Sequence, residues 1–309
     1  GYPLYAIKNL SIHTAETPYI GEGQSKWEAA LFGATDSAQI SNIYVLDVKI
    51  GNNNFGDHRG AVQYGDYKPG MDEQPTAALV GRATNSSISG CASTGTVTAR
   101  SNAVSGLVAE SYGSTISNCY SLCNVSTEGK WNAGGFIGYI TDNTTVSGCF
   151  SEGSVSGATF TNGGFIASVT QSVVTNCYSN VPADMAFIGK SENASISNCY
   201  GNGGTGGIKA SAAGDTAINC YTIGGSAGFG FKSGSAADVK SAFSSLSDWD
   251  CSGNLPVLAA VKKCPALGNY AVGSMNGTPS SVQPSVTPDR SQNGSQNSTG
   301  VSGQEQQLP

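Results

Sequence analysis

The chain has 309 residues, 42 of them Gly, with only 12% charged residues and a formal net charge of −6 at pH 7. Such a composition is poor helix material and good turn-and-strand material, and an acidic, charge-poor surface gives no footprint for nucleic acid or an anionic membrane. No run reaches the ~18–20 apolar residues of a membrane span, so direct membrane insertion of this segment is not expected.

In chain order, one short pattern returns eight times: I-K-N-L ending at Leu10, I-S-N-I at Ile43, I-S-G-C at Cys91, I-S-N-C at Cys119, V-S-G-C at Cys149, V-T-N-C at Cys177, I-S-N-C at Cys199 and A-I-N-C at Cys220. A second anchor runs beside it at Leu31, Leu79, Leu107, Phe136, Phe165, Phe187, Ile208 and Phe229. From anchor to the next Cys-type position the distance is 12 residues in six cases and 13 in one, between Phe136 and Cys149. The return distance varies from 9 to 17 after Cys91, which marks that arc as the loop side and predicts a solenoid that narrows toward its C-terminal end. Units of this size cannot bury an inner face alone, so the pattern predicts an all-β fold, a parallel β-helix (β-solenoid) of about eight coils over residues 1–244. The chain opens partway through a coil and without a leader, so it is expected to be a mature or excised piece whose cap lies upstream.

The residue before each Cys-type position is Asn or Gly in all eight copies. These are the residues that enter left-handed backbone cheaply, so a bend is predicted there. The bend removes a parity problem: Ile116 and Cys119 lie three apart and could not both face inward on one continuous strand. Stacked Asn side chains are expected to form a ladder.

Six of the nine cysteines occupy this one position. Stacked at the ~4.8 Å strand spacing they exceed the ~3.8 Å Cβ separation of a disulfide, so they are read as a buried thiol ladder. Cys123 replaces the Gly of neighbouring coils, at Gly95 and Gly153, and Cys251 and Cys264 form a candidate pair. Free thiols of this kind suit a secreted protein of a reducing niche.

Once Cys points in, the following residue points out, and there stand Tyr44, Tyr120, Phe150, Tyr178, Tyr200 and Tyr221, with Ala92 the exception. Such a column is either a self-stacking ladder or a platform for a flat ligand such as a sugar ring. In the longer coils a third strand is expected, with Val97, Val125 and Val155 inward and solvated Ser, Thr and Asn outward.

Two segments leave the repeat. The insertion at residues 51–74 carries Asp57, His58, Arg59, Tyr64, Asp66, Tyr67, Lys68, Asp72 and Glu73, the densest mix of charge and aromatics in the chain. Insertions in repeat proteins map to loops on one face, so Asp57, His58, Arg59, Tyr64, Asp66, Tyr67 and Lys68 are the first candidates for ligand contact. Residues 245–267, with Trp249 and a Leu-Pro pair, are expected to plug the last coil. Residues 268–309 are rich in Ser, Gln, Asn and Pro and are expected to be a flexible, disordered linker or stalk.

The coil G-G-F-I-G-Y-I-T-D-N-T-T-V-S-G-C-F-S-E-G-S-V-S-G, residues 134–157, resembles the GLUG-motif repeat family of bacterial surface proteins. The opening G-Y with I-x-N-L and the closing Trp with L-P-x-L resemble that family's first coil and last cap, so the likeness extends over residues 1–258. The resemblance implies a right-handed parallel β-helix exported to the cell surface or secreted, adhesive in role, and it carries no catalytic residues or cofactor. Non-catalytic regions of immunoglobulin A1 proteases belong to the same family.

An enzyme on this fold, a polysaccharide lyase or glycoside hydrolase, needs clustered acids or two facing carboxylates. Here Glu110, Glu128, Asp142, Glu152, Asp184, Glu192 and Asp215 recur at no common repeat position. The two histidines, His13 and His58, belong to no H-E-x-x-H motif. The expected function is therefore a non-catalytic binding or spacer domain, with a host or envelope protein or glycan as partner. The alternative is an accessory domain of a secreted metalloprotease or a carbohydrate-active enzyme.

Overall fold

The computed structural model describes residues 5–14, 29–52, 75–99, 103–127, 132–158, 160–211, 214–226 and 228–260. The chain divides into two units, Gly1–Gly273 and Ser274–Pro309, and every described residue lies in the first.

Parallel strands stack coil on coil into four sheets. The cysteine sheet starts with Tyr5–Lys8 and Ile43–Asn52, continues through Ala92–Ala99, Tyr120–Thr127, Phe150–Glu152, Tyr178–Asn180 and Tyr200–Asn202, and ends with Cys220–Ile223 and Phe231–Gly234. The anchor sheet has seven strands, from Phe32–Asp36 to Ile208–Ser211. A third sheet of seven three-residue strands, from Gln39–Ser41 to Thr216–Ile218, joins those two. A fourth, on the variable arc, runs from Thr76–Ala77 to Thr161–Gly163 and, among the described residues, has no strand in the later coils, where the arc shortens. The fold class expected from the repeat is the fold observed.

The bend sits where the Asn/Gly column placed it. Asn9, Asn42, Asn118, Asn176, Asn198 and Asn219 have φ between 51° and 57°, and Gly90 and Gly148 have φ of 60°. Ile116 and Cys119 are both fully buried on either side of such a corner. The Asn ladder is partial: Asn219 Nδ2 donates to Asn198 Oδ1 at 2.8 Å, whereas Asn176 Nδ2 donates to Asp248 Oδ2 instead. Where the column carries Gly, the space is already filled, since a Cβ on Gly148 would lie 2.7 Å from Asn118 Oδ1.

A second left-handed corner lies five residues earlier in each coil and was not read from the repeat. It comprises Ser37, Asn85, Gly113, Asn143, Gln171, Asn193 and Gly214. The coil with 13 residues between anchors absorbs its extra residue here, with Asp142 and Asn143 both at positive φ. The residue after this corner turns inward as a polar column: Ser86, Ser114, Thr144 and Ser172 are buried. Backbone N–H groups donate to it from the coil before, Ser86 N to Ser114 Oγ at 3.0 Å and Ser114 N to Thr144 Oγ1 at 3.3 Å. Asp215 ends the column, accepting from Ala194 N and Ser191 Oγ. Each of these corners thus finds partners for main-chain groups that would otherwise be buried unpaired.

The interior is made of matched columns. Phe136, Phe165 and Phe187 stack with ring centroids 4.9 and 5.0 Å apart and planes within 10°. Val97, Val125 and Val155 are buried as expected, and Cys123 pairs with Gly95 in register. Two anchors shift. Ile208 pairs with Ile188 rather than following the Phe187 column, so Gly207 occupies that column. Phe229 is 46% exposed, and Phe231, 3% exposed, supplies the ring over Gly207, 5.8 Å from Phe187.

Replacing Gly148 by Ala should cost about 1–2 kcal/mol in urea unfolding, because a Cβ meets both the left-handed penalty and the Asn118 amide. Replacing Asn118 by Gly at the equivalent corner should cost about 1 kcal/mol or less, since that backbone suits Gly.

Candidate ligand-binding surfaces

Three groups of residues come forward as places where this scaffold could touch something. The first is the insertion. Asp57, His58, Arg59, Tyr64, Asp66, Tyr67 and Lys68 lie outside the described residues, but the chain's exit and return are in place. Asn52 closes its strand paired with Ala99, and Thr76 returns paired with Val104 and bridged to Ala29. The insertion therefore leaves from the cysteine sheet and re-enters on the arc sheet, on the variable side of the coil.

The second is the aromatic column, and its exposure needs correction. Its rings do leave the main core, yet Phe150, Tyr178 and Tyr200 are fully buried, Tyr120 and Tyr44 nearly so, and Tyr221 is half-buried. They belong to a separate apolar cluster with Val239, Phe243, Trp249 and Leu258. Residues 236–258 thus form a strap lying against the outer face of the cysteine sheet.

Its helix, Ala236–Phe243, begins with a capping box in which Asp238 N donates to Ser235 Oγ and Ser235 N donates to Asp238 Oδ2. This fixes the helix so that Val239 and Phe243 face the ladder. Phe243 meets Tyr200 and Tyr221 at centroid distances of 6.0 and 6.1 Å, and Trp249 meets Tyr178 and Tyr200 at 6.0 and 5.9 Å. Tyr200 Oη donates to Pro256 O at 2.6 Å.

Geometry gives a second reason against a platform. Tyr120, Phe150, Tyr178 and Tyr200 stack face to face, with centroids 4.8, 4.8 and 5.3 Å apart and planes within 17°. The faces are spent on neighbouring rings, and only ring edges and hydroxyls point outward. A sugar ring packs on faces. The column is the self-stacking ladder of the two readings.

The third group lies on the anchor sheet. Arg82 Nε and Glu110 Oε2 are 2.9 Å apart, Tyr112 Oη donates to the same oxygen at 3.1 Å, and Tyr139 meets Tyr112 edge-on at 6.1 Å. Burial, and then the Glu110 charge, push the Tyr112 phenol well above its ordinary value, so it stays a donor. Both bonds converge on one carboxylate oxygen already committed to Arg82, which suits a structural pair rather than an acid–base catalyst.

The six ladder thiols are all free and fully buried. Their Sγ–H groups donate weakly to the carbonyl two residues back, as in Cys119 to Ser117 O at 3.1 Å and Cys199 to Ser197 O at 3.0 Å. Burial pushes the Cys119, Cys149 and Cys199 thiols far up, the setting of packed rather than reactive thiols. Cys251 carries a free thiol, and Cys264 lies outside the described residues. Among the described residues no group of three or more His, Cys, Asp or Glu is placed to hold a metal ion, and no helix is long and apolar enough to cross a membrane.

The family model of the GLUG motif matches residues 129–156. Residues 129–156 are a GLUG motif. The match covers one coil, and the neighbouring coils stack on it in register through Ser105↔Gly134 and Gly134↔Gly163. A crystal structure of a "putative immunoglobulin A1 protease" from Bacteroides ovatus is similar at 16% identity, over 82% of this chain and 75% of that chain, with a TM-score of 0.44. No curated protein matches the chain.

Replacing Phe243 by Ala should cost about 3–5 kcal/mol in thermal unfolding, since its ring is fully buried among Tyr200, Tyr221 and Trp249; an open ligand platform would tolerate the change. In the native state the ladder thiols at Cys91, Cys119, Cys149, Cys177, Cys199 and Cys220 should resist alkylation, and mass spectrometry should find them labelled only after denaturation.

Proposed function

We propose that this chain is a non-catalytic, cell-surface or secreted adhesin-like domain, in which a repetitive scaffold presents the insertion to a host or envelope glycoprotein or glycan. The observation that carries this reading is the placement of the insertion. Its two ends are pinned to adjacent sheets of a hydrogen-bonded stack, at Asn52 and Thr76, and after one register shift between Val45 and Val48 the pairing runs unbroken from Val48↔Gly95 to Asn52↔Ala99. Specific contacts concentrate in loops held by rigid scaffolds. The 22 residues between the pinned ends and Pro75, numbers 53–74, hold all seven candidate contact residues. The GLUG motif supports an extracellular setting. The burial of the aromatic ladder favours the insertion over it as the contact surface.

The test is to replace residues 53–74 with Arg100, Ser101 and Asn102, the three residues that stand at that place in the next coil's sequence. Glycan-array or pull-down binding by the wild-type chain should drop at least about tenfold with circular dichroism unchanged, a loss of about 1.4 kcal/mol or more. Binding that survives the excision would move the site elsewhere. Turnover of a polysaccharide by the isolated domain would overturn the non-catalytic reading.

A further inference from the structure

The second left-handed corner departs from its own pattern at Gln171. Along this column the chain stays in register, with Asn143 N donating to Gln171 O and Gln171 N to Glu192 O, each at 2.9 Å. Most copies carry Asn or Gly, which enter left-handed backbone cheaply. Of the other two, Ser37 donates through its hydroxyl to Asp36 Oδ1 at 3.1 Å, whereas Gln171 holds φ at 44° with no side-chain bond among the described residues. Two residues on, the outward row of the third sheet is broken as well. From Ser87 through Thr115, Thr145 and Ser195 to Thr216 this row carries hydroxyls, and Val173 interrupts it with an isopropyl group that is 40% exposed.

Both departures line one shallow depression, with Asn143, Asn193, Ser195 and Thr216 around them. Among the described residues no charged side chain lines it. The side chains of Asn143 and Asn193 are exposed and, like that of Gln171, make no hydrogen bond among the described residues, in contrast to the Asn219–Asn198 pair of the other corner. A Cβ on Gly214 would collide with Asn193 Oδ1, so the glycine of the next coil leaves this amide its place. Three uncommitted amides therefore stand one coil apart, at the ~4.8 Å strand spacing, beside one exposed apolar side chain. Local preference broken twice in one coil, with no hydrogen bond gained inside the fold, is the pattern of a functional position.

We propose that this depression binds a neutral glycan strand lying along the stack of coils, at a site separate from the insertion. One sugar unit of an extended chain advances by nearly the spacing of one coil, so three successive units meet the amides of Asn143, Gln171 and Asn193 in turn. An amide both donates and accepts, which suits hydroxyl and acetamido groups. The Val173 methyls take the C–H face of the central ring. A charged sugar finds no counter-ion here, and the cost of desolvating it goes uncompensated. A polypeptide is the less suited occupant. The strand Val173–Thr175 is already paired on both sides, to Thr145–Ser147 and Ser195–Ser197, and offers no edge for strand addition. The depression is also too shallow to seat the aromatic anchor of a protein interface.

The test applies the full chain to an array of linear neutral oligosaccharides of increasing length, with uronate-containing oligosaccharides and peptides alongside. Binding should appear on the neutral chains and strengthen up to about three units, the reach from Asn143 to Asn193 at one unit per coil. Gln171→Gly combined with Val173→Thr installs residues that the two columns favour, so thermal unfolding should stay at or above the wild-type temperature while array binding falls at least about tenfold. Asn85→Gly, at the same corner but outside the depression, should bind as the wild type does, and so should the chain in which residues 53–74 are replaced. Neutral oligosaccharides that do not bind, binding confined to peptides or uronates, binding that survives the double substitution, or binding that Asn85→Gly also loses overturns the proposal. So does a double variant that loses binding and thermal stability together, because the two side chains would then be holding the corner. Binding that disappears with residues 53–74 belongs to the insertion: it overturns this site and leaves the reading of the insertion standing.

Discussion

In-register parallel pairing is the constraint from which the rest follows. Each residue in a coil has the same position above and below it, as Ile88, Ile116, Val146, Val174 and Ile196 do along the third sheet. A side chain is therefore judged against its own kind one coil away, and residue types sort into columns. Thiols, phenyl rings, hydroxyls and Asn amides each form one. The stack also makes substitutions contagious, since a misfit in one coil is felt by two neighbours.

The glycine that precedes the anchor shows how tight this coupling is. The turn that carries it pushes into the middle of the cysteine sheet, where Ser93 Oγ donates to Gly106 O and Ser151 Oγ donates to Gly164 O. A Cβ on Gly106 would collide with Ser121, and one on Gly164 would stand 2.7 Å from Ser179 Oγ. At the turn where Ala186 replaces Gly, the facing position becomes Gly201, and a Cβ there would sit 2.8 Å from the Ala186 methyl. Room is conserved across the gap, not residue identity on either side. The small residue before the anchor is thus a steric requirement of two sheets brought within one side chain of each other.

This coupling also explains what could be read from the chain and what could not. The Asn/Gly corner was legible because only residues tolerant of left-handed backbone occupy it, in every copy. The earlier corner was not, because Ser37 and Gln171 adopt positive φ there and blur the column, although the fixed five-residue offset from the Asn/Gly position was the signal that could have found it. Direction was legible for the aromatics: Tyr178 does leave the main core. Exposure was not, because Trp249 covers it from more than 60 residues away and belongs to no repeat. A period tells which way a side chain points, and only the non-repeating parts of the chain decide whether solvent is waiting there.

That division bears directly on function. The repeats use their Cys, Phe, Tyr and buried Ser on one another, and the strap takes the remaining ring edges, so the regular part of the molecule keeps little chemistry in reserve. Glu110 is held by Arg82 and Tyr112, and Asp215 by Ser191 and the Ala194 amide. What is left for recognition is whatever interrupts the pattern. The insertion does so without disturbing it, because the coils on either side still pair from Lys49↔Thr96 to Asn52↔Ala99 before the chain departs and from Thr76↔Val104 after it returns. The pairing of the scaffold thus resumes after a 22-residue excursion. On the proposed binding role, contact would concentrate in that excursion, because loops held by a rigid scaffold carry recognition.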